Sequence, residues 1–132
     1  MCIRDSFKPI CAGVSDPAAQ LMGTTQEAWL FPALKERRAR WHAVAQQVMI
    51  MPLDRRTGNE PAAIRNMDSW GGYDAPRERL LGHLRGMGNA VVLTGDEHQN
   101  FAGELRTDAA VSYTHLTLPR IERCRSRWSP YH

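Results

Sequence analysis

The segment of this 132-residue chain best equipped for chemistry is Gly95-Asp96-Glu97-His98. An aspartate and a histidine two residues apart on a loop can both face one cation. Gly95 gives the backbone the freedom to leave a strand sharply. Carboxylate plus imidazole is a donor set open to several metals. The same spacing also suits a turn in which Asp96 caps a backbone amide, and spacing alone does not separate the two. A second segment is Asn66-Met67-Asp68-Ser69-Trp70-Gly71-Gly72-Tyr73. Its Asn and Asp oxygens suit hard cations such as calcium, and Trp70 and Tyr73 can wall a pocket. Taken by itself it reads more simply as a turn-rich loop pinned by two aromatics.

Other reactive side chains carry less. His42 opens an apolar stretch and His83 sits among charged helical neighbours, so both read as structural or exposed. Ser15-Asp16 and Ser69 have no GxSxG elbow around them. There is no Walker loop and no GxGxxG. Cys11 is expected to be a loop or semi-buried thiol without a partner.

These segments must be placed by the elements around them. Residues 7–23, with Pro9, Gly13, Pro17 and Gly23, lack a period and predict a loop. Thr24 and Glu27 form a capping-box pattern, so a helix should follow. Trp29, Leu30, Ala33 and Leu34 make its apolar stripe, and Lys35, Arg37, Arg38 and Arg40 crowd its end, where the helix dipole favours cations. Pro32 sits awkwardly inside it. Residues 41–51 read as a largely buried strand. Residues 52–73 lack periodicity, and a loop of that length in a compact domain is usually functional or disordered. Asp74 then caps a second helix over 75–87, with Pro76 in its first turn, Leu80, Leu81, Leu84 and Met87 on its apolar face, and Gly88 ending it. Residues 90–94 are an apolar strand.

Strand, helix and strand in that order predict a βαβ unit with a right-handed crossover. In such sheets ligands lie outside the carboxyl ends of the strands. The long loop leaves one carboxyl end and Gly95–His98 leaves the other, so the two chemically rich segments should meet on one edge.

Both ends look foreign to the middle. MCIRDS and VSYTHLTLP resemble read-through translations of sequencing adaptors, so residues 1–6 and 111–132 are read as non-native and 7–110 as the domain. The net charge of +3 belongs to the tail, where Arg120, Arg123, Arg125 and Arg127 face Glu122 alone. The body is neutral, which argues against a nucleic-acid partner. No apolar run is long enough to span a membrane.

Three stretches together resemble the PhoD-like metallophosphatases (the alkaline phosphatase D family): LMGTTQEAWLFPALKERRARWHAVAQQVMIMPLD, NMDSWGGYDAPRERLLGHL and NAVVLTGDEHQNFAGEL. They run from about residue 20 to 106. The resemblance implies an α/β fold, a C-terminal fragment of a four-layer α/β/β/α metallophosphoesterase sandwich. It implies a secreted or periplasmic parent that hydrolyses phosphate esters using metal ions, iron with calcium. It also implies that Asp68, Asp96 and His98 are metal ligands, Asp68 on the calcium side. The family's aspartate-centred motif, with its tyrosine and cysteine, and its later asparagine precede anything present here, and Cys11 lacks the surroundings of that cysteine. Two departures stand out. Gly71 replaces the aspartate of the usual WDGY, and Glu97 replaces a small apolar residue. A buried Glu97 would be costly unless paired. The competing expectation is a non-enzymatic α/β fragment, inactive alone because the earlier ligands are missing.

Overall fold

The computed structural model describes residues 7–36, 39–87, 89–97, 99–106 and 112–117, with Arg106 and 112–117 described by their backbone. In chain order they form β1 (Phe7–Pro9), a 3-10 turn (Ala12–Ser15), α1 (Thr24–Lys35), β2 (His42–Ala45) and β3 (Ile64–Asn66). A second 3-10 turn (Trp70–Gly72), α2 (Asp74–Arg85), β4 (Ala90–Thr94), β5 (Ala102–Arg106) and β6 (Ser112–Thr117) follow. The two loops expected at 7–23 and 52–73 therefore contain structure: β1 and β3 pair antiparallel, Phe7 opposite Asn66.

The main sheet runs β2-β4-β6-β5. β2 and β4 are parallel, His42 opposite Ala90 and Ala45 opposite Leu93, as the βαβ expectation required. β6 lies parallel to β4 and antiparallel to β5. β6 falls within the tail read as foreign. Strand pairing runs through the backbone, so it asks of a segment mainly extended conformation, and Ser-Tyr-Thr-His-Leu-Thr is rich in β-favouring residues.

β2 is shorter than the strand predicted over 41–51. Its ladder continues for two more bonds, Gln46 N–H to Leu93 O at 2.9 Å and Gly95 N–H to Gln47 O at 3.0 Å. The Gln46 side chain then takes over the Val48 backbone, accepting from its N–H at 3.1 Å and donating to its carbonyl. That turns the chain inward, and Met49 and Ile50 end fully buried.

The capping box of α1 does not form. Gly23, at φ 87°, holds the cap position without a side-chain bond. The Glu27 carboxylate instead meets Arg79 of α2 at 3.0 and 3.2 Å. The same guanidinium donates to the carbonyls of Pro17 and Ala19. A planar fork with five donors can hold three segments at once, which a capping bond cannot. Nearby, Phe31 stacks on His83 with ring centroids 4.1 Å apart. Leu34 is buried, whereas Trp29, expected in the apolar stripe, is 68% exposed. α1 ends at Lys35, and Arg37 and Arg38 lie outside the described residues, as does Gly88.

α2 begins at Asp74 rather than being capped by it. The Asp74 carboxylate accepts from Arg65 Nη1 at 3.0 and 3.1 Å. Leu80, Leu81 and Leu84 pack with Ile50, Trp70, Ala90, Val92 and Leu105 in one core. Full burial of each leucine contributes about 1.5–3 kcal/mol.

The two helix faces differ enough to test. Leu81→Ala should lower unfolding free energy by about 2–5 kcal/mol in urea titration. Trp29→Ala should stay within about 0.5 kcal/mol of the parent sequence. Comparable losses at the two positions would contradict the packing described.

Candidate functional site

Asp68 stands in a turn built almost entirely from local bonds. Asn66 Oδ1 accepts from Asp68 N–H at 3.0 Å, and Ser69 Oγ donates to Asn66 O at 3.0 Å and accepts from Gly71 N–H. Gly72 N–H reaches Ser69 O and Tyr73 N–H reaches Trp70 O. The chain closes so tightly that a Cβ on Gly72 would lie 2.3 Å from Met67 O. A Cβ on Gly71, the departure from WDGY, would sit 3.0 Å from Asn66 O. Met67 and Trp70 are buried and Asp68 is exposed.

The Trp70 indole N–H donates to Gln46 Oε1 at 3.0 Å. Sequence reasoning gave Gln46 no role; its signal was two glutamines at the end of an otherwise apolar strand. Adjacent Gln47 holds Gly95 through its carbonyl. Both candidate turns are thus fastened to neighbouring residues at the exit of β2.

The second turn is strained. Asp96 has φ 66°, the one positive φ at a non-glycine residue among those described. Glu97 N–H closes back on Gly95 O at 2.9 Å, a three-residue turn around Asp96. Aspartate tolerates this region better than most residues, and such conformations persist when their surroundings over-determine them. Glu97 is nearly buried, and it is paired: Arg55 Nη2 donates to its carboxylate. The Arg55 guanidinium also lies 5.6 Å from the Phe7 ring centroid and 5.4 Å from that of Phe101. His98 lies outside the described residues.

The described carboxylates divide in two. Asp16, Glu27, Asp54, Glu60, Asp74, Glu78 and Glu97 all have hydrogen-bond or ion-pair partners, and Glu36 and Glu104 also have interactions. Asp68 and Asp96 are exposed, and their side chains enter no hydrogen bond or ion pair with another described residue. These are the two carboxylates singled out from the sequence. Their free oxygens suit a hard cation in kind. In number they fall short, since calcium takes 6–8 oxygens and no group of three or more His, Cys, Asp or Glu among the described residues could hold a metal.

Asp68 and Trp70 also border a cavity of about 720 Å³ between α1 and β2, whose lining includes apolar Leu30 and Val48 and polar Gln26, Gln46 and Gln47. Cys11, expected as an unpaired thiol, is disulfide-bonded.

The Asp96 turn thus leaves parallel strand β4, and the Asp68 turn follows β3 on the crossover between β2 and β4. The PhoD-like phosphatase family matches residues 3–119, and the chain belongs to that family. It is 39% identical over 107 residues to alkaline phosphatase D of Bacillus subtilis (strain 168), a match covering 80% of this chain and 18% of that protein. A solved structure of PhoD superposes with a TM-score of 0.76 at 33% identity, over 87% of this chain and 23% of the other. The chain thus spans about a fifth of the length of these relatives.

Two measurements check the anchoring. Gln46→Leu leaves a buried indole N–H without its acceptor and should cost about 1–3 kcal/mol of stability; a neutral result would remove the anchor. The second concerns Asp54, whose Oδ1 accepts from Ile64 N–H at 3.3 Å. The Arg56 guanidinium, donating at 2.7 Å, holds the Asp54 carboxyl below its ordinary 3.8. A lowered value means this brace is intact above about pH 4 and is lost as pH falls through the lowered value. The Ile64 amide resonance should therefore be steady from pH 7 to about 4 and shift below it.

Proposed function

We propose that this chain is the C-terminal part of a metal-dependent phosphatase acting on small phosphate esters. Asp68, Asp96 and His98 are its contribution to the metal centre. The observation that carries the reading is the pair of exposed carboxylates, without a side-chain partner among the described residues, on turns tethered to Gln46 and Gln47, in a member of a phosphatase family. Bound metal ions would polarise the phosphoryl oxygens and lower the pKa of an attacking water. Iron with calcium, and an exported location, belong to the same proposal on the family resemblance.

The chain's own residues supply position and charge. The burial of Met67 and Trp70 faces Asp68 outward, and the strained turn presents Asp96 beyond the end of β4. Three ligands, Asp68, Asp96 and His98, are fewer than a pair of metal ions takes, so the chain by itself is read as inactive.

Two experiments bear on this. Residues 1–132, supplied with iron and calcium, should turn over p-nitrophenyl phosphate no faster than their His98→Ala variant; metal-dependent turnover lost in His98→Ala would overturn the inactive reading. When the chain replaces the matching segment of the Bacillus relative, Asp68→Asn and Asp96→Asn should each lower metal-dependent turnover by about 100-fold or more. A chimera active and indifferent to both substitutions would remove these residues from the site.

A further inference from the structure

We propose that Arg55 is a positioning residue that binds the Asp68 turn and the Asp96 turn into one mechanical unit.

Its two ends reach different turns. Through its side chain, Arg55 pairs with Glu97, the residue next to Asp96. Through its backbone, Arg55 N–H donates to Ile64 O at 2.8 Å. Ile64 is the first residue of β3, whose last residue, Asn66, accepts the Asp68 N–H on its side chain. Neighbouring Asp54 adds a second bond to β3, accepting from Ile64 N–H. Within four residues of chain on one side and one residue on the other, a single arginine is linked to both carboxylates.

The link is stiff. The guanidinium lies near two aromatic rings. Phe7 belongs to β1, which pairs along the whole of β3. The Glu97 side chain is 8% exposed and that of Arg55 23%, so the pair is shielded from water more than a surface ion pair and correspondingly less screened. The pair also answers a mechanical need. The Asp96 turn holds a positive φ, and its N-terminal side is fixed by the Gly95–Gln47 bond. The Arg55–Glu97 pair fixes the C-terminal side. It also keeps the Glu97 carboxylate engaged beside two proposed ligands.

That this unit serves a metal centre rests on the function proposed above; the coupling of the two turns does not. Amide hydrogen exchange of residues 1–132 tests the coupling. In Arg55→Ala, exchange at Glu97 and at Asp68 should accelerate together by roughly fivefold or more, while Leu81 and Val92 keep their rates. Arg55→Lys, which retains charge but not the planar fork, should restore less than half of the protection at Glu97. Acceleration at one turn alone, or equally at Leu81 and Val92, would overturn the proposal. If Arg55→Ala does not fold, Glu97→Gln decides: both turns should loosen, and loosening at Glu97 alone counts against the coupling. Terbium luminescence excited through tryptophan provides the second readout. Arg55→Ala should weaken terbium binding by about fivefold where the parent chain binds it. A parent chain that binds no terbium argues against the metal reading, and the exchange result still judges the coupling.

Discussion

The parallel register of β2 on β4 is the constraint on which everything else rests. Parallel strands run toward the same edge, and they require a long crossover between them. That crossover carries β3, the Asp68 turn and α2, while the exit from β4 carries Asp96. The pairing of His42 with Ala90 and of Ala45 with Leu93 also decides which side chains face α2. Ala90, Val92 and Thr94 are buried, and Val91 and Leu93 only half so. A slip of one residue would exchange those sets, uncovering Leu81 and Leu84. It would also misplace the last two ladder bonds, at Gln46 and Gln47, to which both turns are tied.

Charge is distributed by the same logic. Carboxylates withdrawn from water meet a guanidinium: Glu27 meets Arg79, Asp74 meets Arg65 and Glu97 meets Arg55. A buried carboxylate without a partner would be penalised by several kcal/mol of desolvation. Asp68 and Asp96 escape that penalty because they remain hydrated.

What could be read from sequence follows from signal length. Leu80, Leu81 and Leu84 repeat at helical spacing over several turns, and Ala90–Thr94 is an unbroken apolar run, so α2 and β4 were legible. β1 and β3 are three residues each, too short for any period to show, and they exist because they pair with each other. Glu27 matched a local capping pattern, yet its partner is Arg79, 52 residues away, and a bidentate ion pair outweighs one capping bond. That Asp68 and Asp96 stand on turns was legible because residue type and strand ends are local information. Gln46 and Arg55 were not, because their roles arise only when distant segments meet. Glu97 shows the limit most clearly: sequence could state that it needs a partner if buried, but not that Arg55 is that partner.

The outward presentation of Asp68 is itself produced by its neighbours. Met67 is 1% exposed and Trp70 2%, and Ser69 turns its hydroxyl back onto Asn66 O. With residues 67, 69 and 70 committed inward, the side chain of residue 68 has only solvent to face. The turn can bury three of four consecutive residues because Gly72 lets the chain pass where a Cβ would strike Met67 O. The Trp70 indole can be buried because Gln46 accepts its N–H, and Gln46 is held by the backbone of Val48. The exposure of one carboxylate is thus bought by glycine at one end of the turn and by a glutamine from another strand at the other. Asp96 reaches the same exposure differently, through a strained backbone just beyond the buried Thr94. Two unrelated local solutions expose the same chemical group, one on the crossover after β3 and one just beyond β4, and the paired exits of β2 and β4 tether both.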